Sequence, residues 1–195
     1  MKSIVFATGN EHKLREVKEL LGNSYQIISL ADLGYTDDIP ETGDSFSANA
    51  LIKAEFVRQH FGKDCFSEDS GLEIDALNGA PGVYTARYAG PNRDPDANMD
   101  LVLEKLQGVA NRAARFRTVI ALIWEGETHY FEGTVEGTIA MQKDGVKGFG
   151  YDPIFVPQGY DRTFATFSPE EKNAISHRGQ AVAQLVAFLK SQRKS

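Results

Sequence analysis

Residues 4–13 read IVFATGNEHK and decide how the fold begins. The first four residues form a short apolar run, which is typical of a buried parallel strand. Asn10 is a favourable N-cap, and apolar residues follow it with helical spacing at Leu14, Val17, Leu20 and Leu21. The segment therefore predicts a strand, a glycine turn and a helix, which is how many α/β proteins start.

The same alternation continues outward from this segment. The patterns predict further strands at 25–29, 65–67, 72–74, 116–124 and 128–139, and helices at 45–61, 94–107, from 169 and from 177. The two short strands at 65–67 and 72–74 are expected to flank a polar corner. Strand and helix alternate first and a hairpin follows, so the order predicts an α/β fold with a mixed sheet.

Composition excludes several classes of protein. The chain has 195 residues, of which 42% are hydrophobic and 25% charged, so we expect one folded domain over 1–195 and no disorder. The net charge of −6 disfavours a protein that coats nucleic acid. No apolar run approaches the ~18 residues of a membrane span, and the N-terminal run is too short for a signal peptide. The single cysteine, Cys65, fits a reducing cytoplasm.

A candidate phosphate-binding turn joins the first strand to the first helix. It comprises Thr8, Gly9, Asn10, Glu11, His12 and Lys13. Amide N–H groups and the positive end of the helix dipole meet at such a turn, and Lys13 adds a full charge. The spacing of the ATPase phosphate loop is absent. A capped helix with a solvated lysine is the alternative interpretation.

Acidic residues form a second candidate site. Glu41 precedes a helix, and Glu68 and Asp69 are adjacent in sequence. Carboxylates grouped in this way can share a hard cation such as Mg²⁺, although an acidic turn has the same pattern. Lys53 lies one helical turn beyond Asn49, and its side chain is expected either to snorkel outward or to point into a cleft.

Two motifs further along the chain are suited to a flat, polar ligand. The segment 148–153, GFGYDP, combines glycines that permit close approach with aromatic rings that permit stacking. The segment 176–179, SHRG, follows Lys172 and places donors at a helix start, where they can read the carbonyl oxygens of a base. A tight turn and a helix cap are the alternative interpretations.

Five motifs in this order resemble those of the inosine/xanthosine triphosphate pyrophosphatase family. They are TGNxxK, ETG with NAxxKA, DSGL with GAPGVYxARY, GFGYDPIF and SHRGQA, and they extend from Thr8 to Ala181. The resemblance implies a long central mixed sheet flanked by helices, two lobes with a cleft between them, and a homodimer. It also implies Mg²⁺-dependent hydrolysis of ITP, dITP and XTP to the monophosphate and pyrophosphate.

The resemblance further implies which residues contact the substrate. Triphosphate contacts fall on Thr8, Gly9, Asn10, Glu11, His12 and Lys13. Ser70 is a substrate contact. Nucleoside contacts fall on Phe149, Gly150, Tyr151, Asp152, Lys172, His177 and Arg178.

Catalytic and metal-binding roles are implied in the same way. Lys53 is expected at the phosphates, and Asp69 is expected to be the general base. Glu41, Glu68 and Asp69 are expected to hold Mg²⁺. Glu68 stands where the family commonly has Asp, so the charge is kept on a side chain that is one methylene longer. A pyrophosphatase for another nucleotide and a nucleotide sensor without turnover remain the alternatives, and no contact with nucleic acid or membrane is expected.

Overall fold

The computed structural model describes residues 2–192. The strands are β1 (Ser3–Phe6), β2 (Gln26–Ser29), β3 (Cys65–Ile74), β4 (Ala113–Trp124), β5 (Glu127–Ile139) and β6 (Phe155–Pro157). The helices are α1 (Glu11–Leu21), α2 (Phe46–Phe61), α3 (Pro95–Lys105), α4 (Pro169–Ile175) and α5 (His177–Ser191). None of the helices described has the length and apolar character needed to cross a membrane.

The strands form a mixed sheet in the order β2-β1-β3-β4-β5-β6. β1 runs parallel to β2 and β3, whereas β5 and β6 are antiparallel. Glu125 and Gly126 join β4 to β5 with positive φ angles of 51° and 87°, the backbone conformation that a two-residue hairpin favours. The predicted α/β fold with a mixed sheet is thus confirmed.

β3 differs from the prediction. Two short strands around a polar corner were expected, and this is wrong, because one ten-residue strand runs through the region. Its polar residues Ser67, Glu68 and Asp69 are only 0%, 2% and 5% exposed. Polar side chains can stay inside a strand when partners compensate for their lost hydration, and helices of the same unit supply those partners to Glu68 and Asp69.

The described residues form two compact units. Unit 1 comprises 2–69, 118–133 and 178–192, and unit 2 comprises 70–117 and 134–177. Unit 2 has one apolar core, in which α3 packs with the aromatic residues Phe116, Phe155 and Phe164.

Unit 1 has an apolar layer on each face of its strands. Ile4 and Phe66 pack with α1 and α5 in one layer, whereas Val5 and Cys65 pack with α2 in the other. Successive side chains of a strand point to opposite faces, so neighbours in sequence face different helices. The same alternation continues into the polar part of β3.

The N-cap of α2 offers a test of how this helix is held. The Ser45 hydroxyl accepts the Ala48 N–H at 3.1 Å, which satisfies a donor of the first turn. Ser45→Ala should lower the free energy of unfolding by about 1 kcal/mol. Gln59→Ala, at an exposed position of the same helix, should change it by less than about 0.5 kcal/mol. Equal losses in urea unfolding would contradict the assigned cap.

Candidate active site

Two buried carboxylates at the centre of β3 face opposite sides of unit 1. Glu68 follows Phe66 by two residues and therefore shares its face with α1 and α5. Asp69 follows Ser67 and Cys65 and therefore faces α2. Adjacent acidic residues thus have different environments.

The negative charge of Glu68 is balanced by an ion-pair network. Its Oε2 accepts from Arg178 Nε at 2.9 Å, and its Oε1 lies 3.0 Å from Lys13 Nζ. Arg178 is itself 2% exposed and also binds Glu16 of α1. Burial alone would raise the pKa of Glu68, but Arg178 and Lys13 outweigh it and hold that pKa well below its usual range. Glu68 is therefore a permanent anion at neutral pH.

Asp69 is left only partly compensated. Its Oδ2 is buried and finds no hydrogen-bond partner within residues 2–192. Burial raises the pKa of Asp69 to about 6, with the charge of Glu41 adding to the rise, although Lys53 and Lys13 oppose it. A carboxylate with this pKa is ionised at neutral pH and is more basic than an ordinary one. These are the properties of a general base.

Lys53 connects the two carboxyl-bearing segments. Its Nζ donates to the backbone oxygen of Glu68 at 2.6 Å and lies 3.0 Å from Glu41 Oε1. With 7% exposure, the side chain points inward and does not snorkel. The snorkelling interpretation is therefore wrong, and the position of Lys53 in a cleft stays a prediction.

The turn at residues 8–13 caps α1. Thr8 Oγ1 accepts the Asn10 N–H at 3.1 Å, and Asn10 Oδ1 accepts the N–H groups of His12 and Lys13 at 3.0 and 3.2 Å. Gly9, Asn10, Glu11 and His12 are exposed. The capped helix is therefore confirmed, but the solvated lysine is wrong, because Lys13 is paired with Glu68.

Unit 2 holds its own group of predicted residues, which we call the lysine–aromatic cluster: Phe149, Asp152, Lys172 and His177. Lys172 Nζ lies 2.7 Å from Asp152 Oδ2 and 4.7 Å from the centre of the Phe149 ring. The Phe149 N–H also donates to Asp152 Oδ2. Gly148, with φ 72°, permits this turn, because a Cβ there would collide with the Asp152 carboxylate. The cluster thus offers a buried ammonium beside an aromatic face.

The other predicted site residues of unit 2 have contacts of their own. The His177 ring stacks on Phe116, with centroids 4.9 Å apart and planes 14° apart. The Tyr151 hydroxyl donates to the Thr85 carbonyl at 2.6 Å, and burial raises its pKa, so it stays a phenol. Gly150 has a positive φ of 61°. Ser70 is half-buried and is the first residue of β3 that belongs to unit 2.

Arg178 was expected beside the nucleoside, and that contact stays a prediction. Its guanidinium lies in unit 1 and contacts Glu68 and Glu16. Sequence reasoning gave no role to Glu16 or Asn49. Helical spacing offered a signal for both, since Glu16 is three residues beyond Lys13 and Asn49 is four residues before Lys53.

The metal-binding set is only partly assembled. Within residues 2–192, no three His, Cys, Asp or Glu side chains form a group placed to share a metal ion. Glu41 is close enough to Asp69 to raise its pKa, and Asp69 Oδ2 is a buried acceptor that lacks a donor. Oxygen donors of this kind suit Mg²⁺. The residues therefore fit a cation held by Glu41 and Asp69, whereas Glu68 is bound by Lys13 and Arg178.

These features are those of an α/β hydrolytic enzyme with a buried carboxylate of raised pKa near two lysines. The chain belongs to the Ham1 family, whose family model matches residues 4–188.

Relatives and solved structures agree with this membership. The dITP/XTP pyrophosphatase of Porphyromonas gingivalis is 51% identical over 190 residues, which cover 97% of this chain and 98% of that protein. A Ham1 protein from Coxiella burnetii superposes with a TM-score of 0.90 at 43% identity and covers 98% of this chain and 100% of that one. The Staphylococcus aureus Ham1 protein gives 0.89 at 43% identity, with the same coverage.

The Arg178 ion pairs make a stability prediction. Arg178→Met keeps much of the side-chain volume but leaves the buried Glu68 and the half-buried Glu16 without the guanidinium. Breaking a buried pair in this way should cost about 3–5 kcal/mol of unfolding free energy. Lys143→Met, which removes a lysine from the exposed partners Asp96 and Asp100, should cost less than about 1 kcal/mol. Similar small losses for both variants in urea unfolding would refute the structural role of Arg178.

Proposed function

We propose that this chain hydrolyses the deaminated purine nucleotides ITP, dITP and XTP to the monophosphate and pyrophosphate, and so removes them before they enter DNA or RNA. The observation that carries the proposal is Asp69, a buried carboxylate whose Oδ2 has no hydrogen-bond partner among residues 2–192. Its pKa is about 6, because burial raises it more than Lys53 and Lys13 lower it. The names of the curated relatives support the substrate class.

In the proposed reaction, water attacks the α-phosphorus in line with the leaving group. The water gives its proton to Asp69, and its oxygen forms a bond to the α-phosphorus. The bond from the α-phosphorus to the oxygen bridging it to the β-phosphorus breaks, and pyrophosphate leaves. Lys13 and Lys53 offset the charge of the phosphates, and the capped turn at residues 8–13 orients them.

Mg²⁺ is proposed as the cofactor, held by Glu41 and Asp69. When bound, the ion lowers the pKa of water and neutralises phosphate charge. A role for Glu68 as a third ligand stays a prediction, since its carboxylate would have to exchange Lys13 and Arg178 for the ion.

The lysine–aromatic cluster is proposed to recognise the base, with Ser70, Gly150 and Tyr151 as further contacts. Inosine and xanthine carry a 6-oxo group, which accepts a hydrogen bond, whereas adenine carries a 6-amino group, which donates one. A donor such as Lys172 directed at position 6 would therefore reject adenine, whereas guanine, which also carries a 6-oxo group, must be rejected by another contact. Each unsatisfied buried partner costs about 1–3 kcal/mol, or about 5- to 150-fold in discrimination. Base contact by Arg178 stays a prediction.

The setting of the enzyme is also a proposal. We place it in the cytoplasm, which suits its single cysteine, Cys65. A homodimer is proposed from the family resemblance. Nucleic acid is not a proposed partner, because the chain carries a net charge of −6, and no membrane partner is proposed.

A substrate panel tests the reaction. Pyrophosphate and phosphate release are measured for ITP, dITP, XTP, ATP, GTP, CTP and UTP, with Mg²⁺ and with EDTA. We expect pyrophosphate from the first three alone, and none in EDTA. Release of single phosphate would contradict attack at the α-phosphorus, preference for a pyrimidine nucleotide would indicate another target, and no release from any would favour a sensor.

Asp69→Asn separates stability from activity. The variant should lose at least ~10²-fold in kcat, because general base catalysis contributes ~10²–10⁴-fold. In EDTA at neutral pH, the free energy of unfolding of the variant should exceed that of wild type by about 1–3 kcal/mol. The raised pKa of Asp69 shows that folding disfavours its charged carboxylate, which the variant lacks. This gain should vanish as the pH falls below about 4, where the carboxyl is protonated in both the folded and unfolded states.

The control for this variant is Asp37→Asn, at an exposed position. It should keep wild-type kcat and stability. Near-normal turnover of Asp69→Asn would remove Asp69 from the mechanism.

A further inference from the structure

Asn49 is a buried amide that none of the proposed steps uses. It is 1% exposed and lies on α2, four residues before Lys53, so that the two side chains emerge from the same face of the helix. A buried amide has up to four hydrogen-bonding positions to satisfy. What Asn49 contacts is therefore informative.

One partner of Asn49 is the loop that carries Glu41. Asn49 Oδ1 accepts the Gly43 N–H at 2.7 Å. A Cβ at Gly43 would lie 2.7 Å from that oxygen and 2.8 Å from Ala48 Cβ, so only glycine allows the loop this close to α2. The bond fixes the backbone two residues beyond Glu41.

The other partner of Asn49 is the candidate base. Its side-chain amide interacts with Asp69 and lowers the pKa of that carboxyl. A backbone N–H can only donate, so the atom facing Gly43 must be the amide oxygen, and the NH₂ group is left for the Asp69 carboxylate. The Asn49 side chain thus contacts both the Glu41 loop and Asp69, the last residue of β3 that belongs to unit 1.

Lys53 repeats this pattern one turn further along α2. The Lys53 ammonium contacts the carboxylate of Glu41 and the backbone oxygen of Glu68. α2 therefore bridges the same two segments twice, once with an amide and once with an ammonium. The Lys53 bridge contains a charge that substrate phosphates would attract, whereas the amide bridge is neutral.

We propose that Asn49 is a positioning residue for the hydrolysis: its amide holds the Glu41 loop and the Asp69 carboxylate in one fixed arrangement. This inference rests on the proposed function. Asn49 acts through Glu41 and Asp69 and does not itself contact the reacting atoms. Its loss should therefore affect the chemical step and cation binding more than substrate binding.

Asn49→Ala tests the inference by removing both contacts. Hydrogen bonds to charged groups of this kind correspond to about 10- to 150-fold, and we expect kcat for ITP to fall within that range. KM should change by less than about threefold, because the turn at residues 8–13 is untouched. Binding of Mn²⁺ alone, followed by electron paramagnetic resonance, should weaken by about tenfold or more.

Asn98→Ala is the matched control. Asn98 is 3% exposed, lies on α3 and accepts the Ala89 N–H at 2.7 Å, so its truncation removes a comparable buried amide from unit 2. It should lower the melting temperature about as much as Asn49→Ala does, while Mn²⁺ binding stays at the wild-type value.

Asn49→Asp separates the two contacts. The carboxylate keeps an acceptor for the Gly43 N–H but has no N–H to give Asp69. We expect kcat as low as that of Asn49→Ala, with Mn²⁺ affinity no weaker than that of wild type, because the Glu41 loop stays in place and the added carboxylate attracts the cation. Recovery of kcat in Asn49→Asp would contradict the contact with Asp69.

The outcomes keep this inference distinct from the proposed function. If wild-type chain releases no pyrophosphate from ITP, the proposed function fails, and weaker Mn²⁺ binding by Asn49→Ala still supports Asn49 as the residue that positions the carboxylates. If the wild type is active and Asn49→Ala keeps both its kcat and its Mn²⁺ affinity, the inference is overturned. Equal weakening of Mn²⁺ binding by Asn98→Ala would also overturn it, because general loosening of the fold would then explain the effect.

Discussion

The rest of unit 1 depends on the burial of two consecutive carboxylates, Glu68 and Asp69, in the middle of β3. An isolated buried charge is strongly unfavourable, so each carboxylate needs partners or must change its pKa. The alternation of side chains along the strand sends them to opposite faces, where different helices provide for them. The fold gives Glu68 a full set of charged partners but compensates the charge of Asp69 only in part.

The difference between the two faces divides stability from chemistry. On one face, Arg178 and Lys13 surround Glu68 and tie α5 and α1 to the sheet. On the other, Asn49 and Lys53 of α2 give Asp69 fewer compensating contacts, so a basic oxygen survives in a buried place. A group that the fold stabilises poorly is one that a reaction can use.

Local signals predicted much of the fold and part of the site. The cap at Asn10 acts over three residues, so the helix start that it predicts is confirmed. The continuous β3 was missed because a run of polar residues resembles a corner unless distant partners are known. Arg178, the main partner of Glu68, is 110 residues away in sequence.

Roles that depend on such distant pairing are not visible in a motif. Residue type alone indicates groups suited to phosphate binding and proton transfer at 8–13, Lys53 and Asp69. Which lysine faces which carboxylate follows from the register of β1 and β3 and from the packing of the helices, and no short pattern contains it.

The most direct test of the account is a carboxyl ¹³C NMR titration of the metal-free chain, with Glu68 and Asp69 assigned by substitution. Asp69 should titrate near pH 6, and Glu68 should stay ionised down to the pH at which the chain unfolds. Titration of both carboxyls near 4, as in an ordinary solvated acid, would contradict the claim that the two faces of β3 treat adjacent carboxylates differently.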